Sequence, residues 1–302
     1  MPANAQRPSR AEATWATARL ATGISMYYGS CGDGDPLVLI MGTGADHRPW
    51  DPAAEVYSRT YRVITFDQRG TGRSDRPADP ESYTISGMAD DVAALLDYLE
   101  LPVCHVAGMS MGSAIAQEIA LRHPDRVASL QLHATWGRTD EWLRRMFESL
   151  GYLLDRPGLE AFVRTDNMWI SSASLLNEDP VALAEEEREM LRDPYAPTHI
   201  TLRGHLHADL GHDTLDRLHQ IRVPTLITSG ELDWQVPMRY GLEVGERIPG
   251  SRFHLFKGAR ASHNLFSEMW EDFFRVTFEF LQESSSGTAG GRARVQAKGE
   301  GL

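Results

Sequence analysis

Ser110 lies between two glycines in the stretch Val103-Cys-His-Val-Ala-Gly108-Met-Ser110-Met-Gly112-Ser113. An apolar, β-branched run leads into it, and a helical pattern from Ser113 to Arg122 follows at once. A strand that turns sharply into a helix lifts a serine hydroxyl out of a sheet, where it can attack a carbonyl carbon. The glycines have a physical reason to be there. The serine backbone is strained, and side chains two residues either side would collide with the strand or the helix. By composition, Gly-x-Ser-x-Gly occurs in about one in ten chains of this length, at roughly 7% usage of each residue. The flanking pattern therefore carries the signal. The competing reading is a glycine-rich turn with an idle serine.

A serine hydroxyl attacks esters at neutral pH only when a base takes its proton, and the base must be held by a third group. In strand–elbow–helix arrangements the chain order is Ser, then acid, then His. Two later apolar runs end in suitable partners. Pro224 to Gly230 is followed by Glu231-Leu-Asp233-Trp-Gln-Val-Pro237, and Arg252 to Phe256 by Lys257-Gly-Ala-Arg-Ala-Ser-His263-Asn. Ser110 precedes Asp233 by 123 positions and Asp233 precedes His263 by 30, so only folding can unite them. Each has a plainer reading. His263 could be a loop histidine capping the final helix, and Asp233 an exposed turn acid with Glu231 as its nearest rival. His105, inside the nucleophile strand, reads as structural.

The elements that must position these groups follow from the patterning. Trp15 to Tyr28 reads as a hairpin turning at Thr22-Gly23, and Leu37 to Met41 as a strand buried on both faces. That strand ends in Gly42-Thr43-Gly44, a turn free to bring backbone N–H groups close to a ligand. Tyr61 to Phe66 is a strand, Ser86 to Leu99 an amphipathic helix and Val127 to His133 a further strand. Such alternation implies an α/β fold, a mostly parallel sheet flanked by helices. Between residues 135 and 221 no strand is expected, only helical stretches including Glu141 to Leu154 and Pro180 to Arg192. This segment reads as an inserted helical cap. The core is then 15–134 with 222–283, closing on a helix from Leu265 to Gln282. Residues 1–14 read as a disordered leader and 284–302 as a disordered tail.

A formal net charge of −12 argues against nucleic acid and against anionic lipid as partners. Cys31 and Cys104 make no disulfide framework. No apolar run approaches a membrane span, and Met1 to Arg10 lacks the apolar core of a signal peptide, so cytoplasmic residence is expected. Oligomeric state stays open. The expected partner is a small-molecule substrate.

Taken together, Gly108-Met-Ser-Met-Gly112, Asp67-Gln-Arg-Gly-Thr-Gly-Arg-Ser74, Gly230-Glu-Leu-Asp-Trp-Gln-Val-Pro237 and His263 five residues before Glu268 resemble the α/β-hydrolase fold family. The resemblance spans roughly residues 20 to 283. Through Trp50-Asp51, the Arg-Gly-Thr-Gly segment and the cap length, the chain is most similar to esterases of the 3-oxoadipate enol-lactonase type. The resemblance implies Ser110 as nucleophile, His263 as general base and acid, and Asp233 as its orienting carboxylate, with no cofactor. Position and resemblance nominate the backbone N–H groups of Met111 and Thr43 as the oxyanion hole. Gly44 of the same turn and Trp136 of the aromatic cap are the expected substrate contacts, with core packing as the plainer reading of Trp136. The implied reaction is hydrolysis of an ester or lactone of a small, fairly apolar acid. C–C bond hydrolysis, lyase or transferase chemistry on the same triad, and a ligand-binding receptor with slow turnover, are the alternatives.

Three departures from the family pattern stand out. Met41-Gly42 replaces the usual His-Gly at the end of the first central strand, which puts the loop's internal hydrogen bonding in question. Ser113 replaces a common glycine, and the histidine loop carries Arg260 and Ser262 as additions. His205, His207 and His212 lack a metal-ligand pattern, so no metal site is expected. Gly70-Thr-Gly72 lacks the third glycine of a dinucleotide fingerprint.

Overall fold

Runs of Val, Ile and Leu form strands here because branched side chains fill both faces of a pleated sheet. The computed structural model describes residues 13–299, with side-chain surroundings through Ser285. Eight strands are formed: β1 (Thr14–Arg19), β2 (Ser25–Cys31), β3 (Pro36–Ile40), β4 (Arg62–Phe66), β5 (Cys104–Met109), β6 (Val127–His133), β7 (Thr225–Gly230) and β8 (Arg252–Phe256). Their order in the sheet is β1-β2-β4-β3-β5-β6-β7-β8. The β1–β2 hairpin and the β2–β4 pair are antiparallel, and all remaining pairs are parallel. The chain runs outward one way from β3 to β4 and the other way from β5 to β8. Loops at the carboxyl ends of β3 and β5 therefore diverge and leave a crevice between them.

The helices of the core are α1 (Asp51–Tyr57), α2 (Ile85–Tyr98) and α3 (Met111–Arg122). Strand alternation sorts the core. Val38, Ile40, Ile64 and Val106 face α2 and α3, while Leu37, Leu39, Val63, Ala107 and Met109 face the other layer. The cap joins β6 to β7 and holds α4 (Glu141–Asp155), α5 (Leu159–Ile170), α6 (Ala173–Glu178), α7 (Pro180–Arg192) and α8 (His199–Leu210). Asp140, Ser172, Asp179 and Thr198 each accept a backbone N–H at a helix start, which sets where four of these helices begin. The cap leaves and returns at one neck, where Thr139 N–H donates to His212 O (3.0 Å) and Thr214 N–H to Gly137 O (2.7 Å).

After the cap come α9 (Met238–Arg247), α10 (Leu265–Glu268) and α11 (Trp270–Gly299). Helices α1 and α9 were not expected. Both are short and follow a Pro or precede one closely, which masks their periodicity. The expected final helix is divided at Met269, whose backbone (φ −124°, ψ 39°) leaves the helical range. Helix α11 runs to Gly299, through most of the segment expected as a tail. The expected leader falls outside the described residues except for its last two, and Thr14 opens β1.

Candidate active site

Ser110 stands between β5 and α3 with φ 54° and ψ −124°, a conformation that costs a non-glycine residue about 1–3 kcal/mol. The glycines around it are required by close approach. A Cβ on Gly108 would lie 2.1 Å from the Gly112 carbonyl oxygen, and one on Gly112 would lie 2.3 Å from Ile40 O. Ser110 N–H donates to His133 O at 2.9 Å. Ser113 is fully buried, and its hydroxyl bonds to Ser110 O (2.7 Å) and Thr135 Oγ1 (2.8 Å), so the residue that replaces a common glycine braces the elbow.

The acid and base loops cross at Gly230, where a Cβ would lie 2.3 Å from Ser262 O and 2.4 Å from Ala261 O. Leu232 N–H donates to Ala261 O at 2.7 Å. This crossing brings His263 Nδ1 to 2.9 Å from Asp233 Oδ2, with both side chains buried. Asp233 Oδ1 accepts from the N–H groups of Gln235 (3.0 Å) and Val236 (2.8 Å). A carboxylate held this way keeps the proton of His263 on Nδ1 and leaves Nε2 as an acceptor. Glu231 is exposed and accepts only from Gly258 N–H at 3.3 Å, away from the imidazole. Arg260 pairs with the exposed Glu178 of α6. Ser262 donates to Glu268 Oε1 (2.7 Å), which also accepts from Ser172 N–H (2.9 Å), tying the histidine loop to the cap. Ser110 and His263 share no hydrogen bond among the described residues. Such bonds are commonly long before substrate binds and tighten with it.

The turn after β3 comes to the elbow directly: a Cβ on Gly42 would lie 3.0 Å from Ser110 Cβ. Gln68 Nε2 donates to Gly42 O (2.9 Å) and Met41 O (3.2 Å). Gly42 O and Thr43 N–H sit on opposite edges of one trans peptide, so anchoring the carbonyl on Gln68 aims the N–H the other way. Neither Thr43 N–H nor Met111 N–H has an intramolecular acceptor among the described residues.

The two expected substrate contacts are both engaged within the protein. Gly44 (φ +72°) donates its N–H to His205 Nδ1 at 2.9 Å, and a Cβ there would lie 2.6 Å from Leu202 Cδ2, so α8 occupies that face. Trp136 is fully buried at the cap neck, packed on Phe147 and His212, with its indole N–H donating to Thr139 Oγ1 at 3.0 Å. It packs into the neck of the cap.

Two acids were missed. Asp209 of α8 is fully buried; its Oδ2 accepts from Thr43 Oγ1 at 2.7 Å, and its Oδ1 has no partner among the described residues. Burial pushes its carboxyl up to about 7. Asp166 of α5 accepts from Gln235 Nε2 at 2.7 Å. Burial pushes it up to about 6, opposed by the nearby His263, although part of the residue's surface stays open. Leu202, His205, Leu206 and Asp209 share one face of α8, so a histidine and an acid interrupt an otherwise apolar stripe, a pattern that marks them as unusual but does not name what they bind.

His205 and His212 are both pushed down to about 4 by burial and are occupied by Gly44 N–H with Arg69 O, and by Trp136 O, respectively, while His207 is exposed. Asp46, His47 and Asp67 are the one such group close enough to share an ion among the described residues. Arg48 takes both Asp46 oxygens, and His47 with Arg73 N–H takes those of Asp67.

A model of the alpha/beta hydrolase fold matches residues 35–268. The chain belongs to the α/β hydrolase fold family. Among its relatives is "Putative carbamate hydrolase RutD" of Azorhizobium caulinodans, 36% identical over 227 residues that cover 75% of this chain and 84% of that protein. A thermophilic esterase from Thermogutta terrifontis superimposes with a TM-score of 0.77 at 26% identity, covering 91% of this α/β hydrolase and 99% of the esterase. The enol-lactonase from Burkholderia xenovorans LB400 also gives a TM-score of 0.77, over 88% of this chain and all of that one. At 24% identity it shows the shared fold alone. No helix among the described residues is long and apolar enough to cross a membrane.

Proposed function

We propose that this α/β hydrolase is a serine hydrolase that cleaves an ester or lactone of a small, fairly apolar acid. The observation that carries the reading is the Asp233–His263 hydrogen bond at 2.9 Å, set beside a serine in a strained elbow conformation. His263 Nε2 takes the proton of Ser110 as Oγ bonds to the carbonyl carbon, and the oxyanion is received by the N–H groups of Met111 and Thr43. Collapse breaks the bond to the leaving oxygen, which takes the proton from His263. Water then loses a proton to His263, attacks the acyl-serine and releases the acid. Asp233 stabilises the imidazolium formed in each half. The carbamate named for the Azorhizobium relative presents a carbonyl open to the same attack.

Intact-protein mass spectrometry after treatment with an organophosphonate ester tests the nucleophile: one adduct is expected, located at Ser110 by peptide mapping. A folded protein that takes up no label overturns the reading. A panel of p-nitrophenyl esters of increasing chain length, run beside lactones and aryl carbamates, then identifies the acyl group, with short esters or lactones expected to turn over fastest.

A further inference from the structure

The family's usual oxyanion-loop histidine is replaced here by Met41, yet the loop is not left loose. Its anchors come from outside. Gly44 N–H donates to His205 Nδ1 at 2.9 Å, and Thr43 Oγ1 donates to Asp209 Oδ2 at 2.7 Å. His205 and Asp209 are four residues apart, one above the other on the same face of α8. Because His205 accepts at Nδ1, its Nε2 carries the proton and donates to Arg69 O at 2.8 Å, so one imidazole bridges the loops that follow β3 and β4. Both side chains are fully buried. They grip Thr43 by its hydroxyl and by the amide that follows it, while Gln68 grips the carbonyl that precedes it.

We propose that His205 and Asp209 are positioning residues that set the aim of the Thr43 N–H, so that cap helix α8 builds half of the oxyanion hole. This rests on the serine-hydrolase reading above. Neither residue touches the reacting atoms. Their effect passes through the φ and ψ of Thr43, and the rate is sensitive to it because oxyanion donors act only when they are aimed at the developing charge.

The test separates an acceptor at the Nδ1 position from mere packing. In His205→Asn the amide oxygen can stand where Nδ1 stood and accept from Gly44 N–H. In His205→Gln the amide reaches toward Arg69 O and the Gly44 acceptor is lost. With p-nitrophenyl acetate, His205→Asn is expected within about threefold of the parent kcat. His205→Gln is expected to lose at least about tenfold in kcat with KM within about twofold, a fraction of the loss for removing a whole donor. Asp209→Asn, which still offers an oxygen to Thr43, is expected near the parent, and Asp209→Leu to fall with His205→Gln.

Should the buried variants fail to fold, Thr43→Val keeps the shape of a half-buried side chain and deletes the bond to Asp209. It is expected to weaken a trifluoromethyl ketone, whose adduct on serine is an oxyanion, by at least about tenfold. Equal kcat in His205→Asn and His205→Gln, or a trifluoromethyl ketone unaffected by Thr43→Val, overturns the clamp while leaving the serine mechanism intact. A parent enzyme with no ester turnover and no phosphonate label overturns both.

Discussion

On the nucleophile side, Gly108 and Gly112 let the first turn of α3 press against β5 and β3, and the Ser110 N–H is held by His133 O of the neighbouring strand. On the oxyanion side, the loop after β3 is held by three side chains: Gln68, His205 and Asp209. The first arrangement is backbone against backbone inside one βα unit and its sheet neighbours. The second depends on contacts between residues 161 and 166 positions apart, across the boundary between core and cap. A site of this kind has one rigid wall and one wall whose position depends on how the cap is seated.

The difference can be tested by breaking each wall separately. Ser110→Ala is expected to lower kcat/KM by at least about 10⁴-fold, and Asp233→Asn by about 10³- to 10⁴-fold, both with unchanged unfolding curves. Residual turnover within tenfold of the parent would place the nucleophile elsewhere. Gly112→Ala drives a methyl group to 2.3 Å from Ile40 O, a clash no flexible side chain can relieve, and is expected to cost about 3 kcal/mol or more in urea unfolding. Gly42→Ala meets Ser110 Cβ at 3.0 Å, a contact relieved by a shift of a few tenths of an ångström. It is expected to lower kcat about tenfold while costing no more than about 1 kcal/mol in stability. If Gly42→Ala unfolds the protein as Gly112→Ala does, the two walls are equally rigid and the contrast fails.

The last effect concerns pH. Asp209 carries its carboxyl near 7 when folded, against 3.8 when unfolded. Its contribution to stability is therefore fully present below pH 3.8 and is lost as pH rises through about 7, because the unfolded chain ionises more readily. Asp209→Asn does not ionise. Its melting temperature relative to the parent is expected to rise by about 5 °C or more between about pH 4 and pH 8. A difference that stays constant across that range would mean that the folded protein tolerates the Asp209 charge.

The same contrast explains what could be read in the sequence. The elbow and the strand ends bearing Asp233 and His263 were legible because each depends on residues adjacent in the chain. Glycine spacing, a β-branched run or a helical period needs no distant information. Choosing Asp233 over Glu231 also became a local matter once the loop was folded, since the Gln235 and Val236 N–H groups close on Asp233 Oδ1. The clamp was not legible. His205 enters only as one of three histidines without a metal-ligand pattern and Asp209 is not singled out, because the residues they bind lie 161 and 166 positions away in the chain. Trp136 shows the same limit: an aromatic residue at the start of a cap can line a pocket or support a neck, and its burial with an indole bond to Thr139 Oγ1 appears only in the folded chain.

Beyond its covalent neck, the cap is tied to the core by the α8 grip on Thr43 and Gly44, by the Ser172–Glu268–Ser262 link to the histidine loop, and by the Gln235–Asp166, Arg260–Glu178 and Arg48–Asp193 pairs. The segment between β6 and β7 is therefore not joined to the core by its two chain ends alone. A chimera that imports a relative's cap would need to bring matching residues at 43, 44, 262 and 268 with it. Substrate range and catalytic geometry would then be transplanted together or not at all.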